Sequence, residues 1–145
     1  MSSTSLSQRH AQAYAKVGME TGVAAADPHR LILMLFDGAL LAVTKAGLAM
    51  QQKRIADKGQ FVSNAIDIIA NGLKASLDFS TGDELPDRLA ALYDYMCNRL
   101  LHANVHNDPA ALSEVNRLLT EIKSAWEEIA DDPAVLAHQK NKAAA

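Results

Sequence analysis

Hydrophobic residues recur along this chain at intervals of three and four, the spacing that gathers side chains on one face of an α-helix. The pattern predicts four helices, which run from Asp27 to about Gln52, from near Asp57 to about Asp78, from Pro86 to about His106, and from Pro109 to about Ile129. No segment alternates with period two for long enough to predict a strand. Long helices joined by short loops run antiparallel to their sequence neighbours. The fold class that we predict is all-α, an antiparallel up-and-down four-helix bundle.

The first predicted helix is apolar on more than one face. Asp27 and Pro28 predict its start, because Asp caps a first-turn N–H and Pro at the first position has no donor to leave unpaired. Met34, Leu41 and Leu48 lie roughly opposite its broad apolar side. We therefore expect neighbouring segments to cover this helix from several directions. The broad apolar side consists of Leu31, Leu35, Ala39, Ala42, Val43, Ala46 and Ala49.

The second predicted helix carries two apolar lines beside its polar face. One line suits the core of a bundle, and it contains Val62, Ile66, Ile69, Leu73 and Leu77. The other line is a secondary edge formed by Phe61, Ile68, Gly72, Ala75 and Phe79. Small residues on this edge would let another backbone come close. Two interpretations stand side by side: the edge contacts another helix of the same bundle, or it forms a groove for an amphipathic partner helix.

The fourth predicted helix has a single narrow apolar arc that includes Trp126 and ends at Ile129. We expect Trp126 to be structural and to anchor this helix. The domain organisation predicted from the pattern is an N-terminal cap or flexible segment at 1–26, a helical bundle domain at 27–130 and a flexible C-terminal tail at 131–145. The N-terminal segment is expected to pack over the bundle.

Composition narrows the class of partner. The 145 residues carry a net charge of −3, and neither sign forms a long block. Nucleic-acid binding needs a clustered basic face, so the sequence predicts no nucleic-acid partner. The first ten residues contain no apolar signal-like run, and no apolar run approaches the ~20 residues that span a bilayer. A single cysteine fits a reducing compartment, so we expect a cytoplasmic protein without membrane insertion.

Catalytic and metal-binding patterns are weak. His102 and His106 have the i, i+4 spacing of a metal pair but fall on the polar side of their helix, where we expect no carboxylate beside them. Cys97 lies in mid-helix without the basic partner that activates a thiolate. No Glu-x-x-His pair or Gly-rich phosphate loop occurs. The sequence therefore predicts no enzyme, no cofactor and no metal site.

Several strings in the chain resemble those of the flagellin-specific export chaperones, the FliS family. The resemblance runs in order from about residue 11 to about residue 130. The strings are AYAKV at 13–17, DPHRLI at 27–32, MLFDGA at 34–39, NAIDII at 64–69, NGLKA at 71–75 and LYDYM at 92–96.

This resemblance implies a cytoplasmic chaperone that binds the C-terminal amphipathic region of flagellin. It would prevent premature polymerisation and aid delivery of flagellin to the export gate of the flagellar type III apparatus. The protein is expected to be a monomer or a weak homodimer. Two alternatives stay open: a self-associating structural bundle without a client, and a metal-binding four-helix protein.

The helical wheels and the resemblance together give a candidate site. We expect the client to pack on the secondary edge of the second helix and on neighbouring surface of the first helix. Tyr14 and Val17 would cover part of this surface when no client is bound. The other candidate residues are Leu33, Leu40, Phe61, Ile68, Gly72 and Ala75.

Overall fold

A computed structural model describes residues 27–129, which form four helices joined by short connections. The helices are α1 (Pro28–Gln51), α2 (Ile55–Asp67), α3 (Leu85–His106) and α4 (Pro109–Glu128). Helix α2 continues as a π-helical segment (Ile68–Leu73) and a 3₁₀ turn (Lys74–Ser76). Helix α1 contacts α2 and α4, and α3 contacts the same two helices. The all-α four-helix bundle is therefore confirmed, and no strand occurs in the range described. Residues 1–26 and 130–145 lie outside it.

Contacts between helix ends fix the antiparallel order. At the start of α2, Lys58 Nζ donates to the backbone oxygen of Asn104 at the end of α3, 2.9 Å away. His29 at the start of α1 contacts Trp126 at the end of α4. Each helix thus runs opposite to its neighbour in the ring, as short connections require.

Both predicted Asp-Pro starts are confirmed. Asp27 Oδ1 accepts a hydrogen bond from the Arg30 backbone N–H at 2.7 Å, at the start of α1. Asp108 Oδ1 accepts one from the Ala110 backbone N–H at 3.0 Å, at the start of α4. These bonds satisfy first-turn donors that have no partner within the helix.

Small side chains bring α1 close to its neighbours. Ala39 and Ala46 are completely buried, and the larger Phe36 fills the space beside them. Eight residues of α1 are buried in all: His29, Leu35, Phe36, Ala39, Ala42, Val43, Ala46 and Ala49.

Two neighbouring helices cover α1, but its outer side stays open among the described residues. Leu41 and Leu48 on that side are 54% and 51% exposed. In this four-helix bundle each helix has one neighbouring helix on either side, and its outward face therefore stays open. By length and composition α1 could cross a bilayer. We attribute its apolar inner face to core packing.

Helix α2 is not the regular helix to Asp78 that the pattern predicts. Its α-helical part ends at Asp67, and the π-helical segment follows. A π turn holds more residues than an α turn, so residues from both apolar lines turn inward together. Ile68 and Ile69 are buried, and so are Gly72 and Leu73. Ile66 and Leu77, which the pattern assigns to the core, are only half-buried.

Trp126 joins the end of α4 to the start of α1. Its ring stacks on the ring of His29, with centroids 4.7 Å apart and planes 7° from parallel. Trp126 Nε1–H donates to the backbone oxygen of His29 at 3.1 Å. His29 Nε2 lies 2.6 Å from the backbone oxygen of Trp126, and it must carry the proton because a carbonyl oxygen only accepts. This contact agrees with a structural role for Trp126.

Candidate functional site

Two of the candidate residues lie inside the bundle. Ile68 is 9% exposed and Gly72 is also buried. A Cβ atom placed on Gly38 of α1 would lie 3.5 Å from Ile68 Cδ1. Ile68 thus packs against the backbone of α1. In this structure the inner part of the secondary edge meets another helix of the bundle.

The outer part of that edge is accessible. Ala75 is exposed, and Phe61 is half-buried beside the core. Lys45 of α1 places its ammonium 5.7 Å from the centroid of the Phe61 ring, a cation–π distance. We call these two accessible residues of the edge, Phe61 and Ala75, the α2 rim; the 3₁₀ turn that contains Ala75 contacts α3.

Leu33 and Leu40 lie on the other side of α1. They are half-buried and share a helical stripe with Asp37, since the three residues are spaced i, i+4, i+7. Asp37 Oδ1 pairs with Lys123 Nζ of α4 at 2.8 Å. Leu33 and Leu40 therefore form a separate α4 rim, and the structure does not bring them together with Phe61 and Ala75.

Cys97 carries a half-buried thiol. Burial raises the pKa of its thiol to about 11, and the nearby Asp94 carboxylate adds to the rise. Its Sγ lies 4.0 Å from the backbone oxygen of Ile66 on α2. At neutral pH the group stays protonated, the opposite of what nucleophilic catalysis requires.

The histidine pair is not as isolated as the pattern predicts. His102 Nε2 lies 3.2 Å from Asp108 Oδ2, so a carboxylate does lie beside it. The sequence prediction was wrong here because Asp108 follows the left-handed Asn107, which turns the chain back toward α3. The rings of His102 and His106 are 4.6 Å apart. Within 27–129, no group of three or more His, Cys, Asp or Glu side chains is arranged to hold a metal ion.

A known protein family matches most of the sequence. The family described as flagellar protein FliS matches residues 10–133. The chain belongs to the FliS family. The flagellar secretion chaperone FliS of Salmonella typhimurium is 50% identical over 118 residues, which cover 81% of this chain and 87% of that protein. The protein of the same name from Escherichia coli is 46% identical over 125 residues, 86% of this chain and 92% of that protein. The flagellar secretion chaperone FliSB of Pseudomonas aeruginosa is 44% identical over 116 residues, 80% of this chain and 91% of that protein.

Between its two rims, this FliS-family chain has an outward strip that the candidate site left out. Leu41 and Leu48 are spaced i, i+7 on α1 and stand at the centre of this strip. The sequence pattern places both residues opposite the broad apolar side of α1, where we expected other segments to cover them. We call Leu41, Leu48 and the two rims the α1 surface. Tyr14 and Val17, which were expected to cover part of the site, lie outside the described residues.

Proposed function

We propose that this protein is a cytoplasmic export chaperone that binds the C-terminal region of flagellin. By occupying that region, it keeps flagellin from polymerising early and helps to deliver it to the export gate of the flagellar type III apparatus. The observation that carries the proposal is the family match, together with relatives named flagellar secretion chaperones at 44–50% identity.

The α1 surface supports this proposal physically. Large apolar side chains that stay in water cost free energy, and they gain about 25 cal/mol for each Å² that a partner buries. An amphipathic helix can lay its apolar face along such a strip, with anchors spaced over two turns. Leu41 and Leu48 have this spacing. Holding a client in this way needs no nucleotide and no catalytic step.

We place the client along the α1 surface, with its centre over Leu41 and Leu48. The accessible candidate residues of the two rims would contact its edges. These are Leu33, Leu40, Phe61 and Ala75. Ile68 and Gly72 would take part only if the client displaced what now covers them, and Tyr14 and Val17 stay predicted as a cover for the client-free surface.

The first experiment compares two leucines of equal exposure. Leu48→Glu places a carboxylate in the middle of the α1 surface, and Leu101→Glu places one on α3; both leucines are 51% exposed. Neither change should alter thermal melting by more than a few degrees, because both carboxylates stay in water. Binding of a flagellin C-terminal fragment, measured by calorimetry, should weaken at least tenfold for Leu48→Glu alone. Tenfold corresponds to about 1.4 kcal/mol, and burying an unpaired carboxylate costs more than this.

A second pair of variants tests the α2 rim. Ala75→Glu and the control Ala91→Glu change two exposed alanines, one on the rim and one on α3. We expect Ala75→Glu to weaken flagellin binding while both variants melt like the parent. Equal affinity of both variants would remove the α2 rim from the site. Full binding by Leu48→Glu and Ala75→Glu alike would reject the α1 surface, and no binding by the unmodified protein would reject the function.

A further inference from the structure

The two ends of the bundle carry opposite charges. The end formed by residues 41–62 and 97–118 contains six Lys or Arg and three Asp or Glu, a net charge of +3. The end formed by residues 27–40, 63–96 and 119–129 contains four Lys or Arg and eleven Asp or Glu, a net charge of −7. We call them the basic end and the acidic end. A charge separation along the long axis orients molecules that approach each other end to end.

The basic end contains an open apolar cavity. Its volume is about 640 Å³, and Met50, Ile55 and Pro109 contribute its apolar lining. Ile55 is 75% exposed, the most exposed large apolar side chain among residues 27–129. Lys53 also lines the cavity, and within the described residues its ammonium forms no ion pair. An apolar depression with an unpaired cation at its edge suits an apolar side chain that has a carboxylate beside it.

The acidic end presents that combination. Phe79 and Leu85 are 54% and 56% exposed, and they flank the turn between the 3₁₀ turn and α3. Asp83 and Asp87 are exposed next to them. Asp83 Oδ1 accepts a hydrogen bond from the Leu85 backbone N–H at 3.3 Å, so this carboxylate is held close to an apolar side chain. Both halves of a complementary contact therefore occur on one chain, at opposite ends.

We infer that the basic end of one molecule binds the acidic end of a second copy. Phe79 or Leu85 of one copy enters the cavity beside Met50 and Ile55 of the other, and the Lys53 ammonium meets the Asp83 or Asp87 carboxylate. The contact joins two different surfaces, so it is heterologous and leads to open chains of molecules. It buries only the tips of two bundles, which makes it weak and transient.

This inference does not depend on the proposed function. The contact uses the cavity and the turn at Phe79 and Leu85, whereas the proposed client lies along the outward face of α1, where Leu41 and Leu48 do not line the cavity. A variant that loses self-association should therefore still bind flagellin, and Leu48→Glu should still self-associate. A negative result for one of the two proposals would therefore leave the other unaffected.

Sedimentation velocity of the full chain tests the contact. Between roughly 10 µM and roughly 500 µM protein at about 0.05 M salt, the weight-average sedimentation coefficient should rise. At about 1 M salt, where the screening length falls to about 3 Å, most of the rise should disappear. A coefficient that is independent of protein concentration would overturn the inference, and so would an association that salt does not weaken.

Complementation between two variants tests the head-to-tail geometry. Lys53→Gln with Ile55→Ser disables the basic end alone, and Phe79→Ser with Leu85→Ser disables the acidic end alone. Each double variant should be monomeric by itself, since a chain of copies needs both ends. Mixed together, the two should form a one-to-one heterodimer, because each supplies the end that the other lacks.

The control for complementation is Leu101→Ser, which removes an exposed leucine of α3 that does not line the cavity and lies in the opposite half of α3 from Leu85; it should associate like the parent. All these side chains are exposed, and unchanged melting by circular dichroism confirms that the variants fold. A mixture that stays monomeric while the parent associates would overturn the head-to-tail contact. Self-association by either double variant alone would overturn it too.

Discussion

Replacing Trp126 with alanine should destabilise the bundle at one end. Trp126 holds the end of α4 against the start of α1 through its stack on His29 and its hydrogen bond to the His29 backbone oxygen. The variant loses both interactions and the apolar area of the indole. His29 Nε2 can still donate to the backbone oxygen of residue 126, because that atom does not depend on the side chain.

The expected cost follows from these parts. An aromatic stack contributes about 0.5–1.5 kcal/mol beyond its buried area, and a neutral hydrogen bond contributes about as much. Truncating a fully buried Trp to Ala costs about 3–5 kcal/mol, but Trp126 is only half-buried. We therefore expect the free energy of unfolding to fall by about 2–4 kcal/mol. For a domain of this size the corresponding drop in Tm is roughly 5–15 °C.

Urea unfolding followed by far-ultraviolet circular dichroism measures this change. Fluorescence cannot be used, because Trp126 is the only tryptophan in the chain. The matched control is Trp126→Phe, which keeps a ring that can stack but has no N–H, and it should lose only about 0.5–1.5 kcal/mol. A loss below about 0.5 kcal/mol for Trp126→Ala would refute the reasoning, because ordinary surface changes have effects of that size. Equal losses for both variants would refute the contribution of the stack.

Two further predictions concern single positions. Gly59→Ala should stabilise the protein by about 0.5–1 kcal/mol in urea unfolding, because Gly59 lies within α2 and a Cβ there meets nothing within 4 Å. Gly82→Ala is the opposite control and should destabilise it, since Gly82 has a φ of 73°. Because burial and Asp94 raise the pKa of the Cys97 thiol to about 11, its reaction with a disulfide reagent should be slow at pH 8 and should accelerate nearly tenfold per pH unit up to about pH 10. A rate that levels off below pH 9 would contradict this.

Local signals in the sequence were enough to locate the helix starts. The Asp27 and Asp108 caps act within a few residues of their own position, so their effect does not depend on the rest of the fold. The apolar periodicity of α1 likewise marks its whole length. The π-helical segment Ile68–Leu73 could not be found in this way. A π turn is less favourable than an α turn and persists where packing compensates for it, and packing is a property of the assembled bundle.

The burial of Lys58 is a second feature that the pattern of apolar residues could not predict. Lysine is almost never fully buried, yet Lys58 is 5% exposed. Its ammonium donates to the Asn104 backbone oxygen and to Asn107 Oδ1, at the end of α3. The carboxyl end of a helix attracts a positive charge, because its last carbonyl groups have no partner within the helix. Lys58, which supplies this positive charge, lies on α2 and is 46 positions away from Asn104 in the sequence. A local pattern does not specify such a pairing.

The positions of the candidate residues in the fold were predicted only in part, because a helical wheel gives directions but not neighbours. The wheel placed Ile68 and Leu40 on apolar sides correctly, yet it could not say which helix each side would meet. Ile68 lies against Gly38 of α1, whereas Leu40 lies on the side of α1 that faces α4. The neighbours follow from the order of helices around the ring. The wheel alone therefore merged two rims that the fold separates.

Helix α1 meets two separate requirements on its two sides. Its inner side holds the bundle together, with eight buried side chains among which alanines allow the neighbouring helices to come close. Its outer leucines contribute little to that packing, because about half of each side chain remains in water. Folding alone would tolerate polar residues at Leu41 and Leu48, and solubility would favour them. Their apolar character agrees with the proposed contact between the α1 surface and an amphipathic client helix.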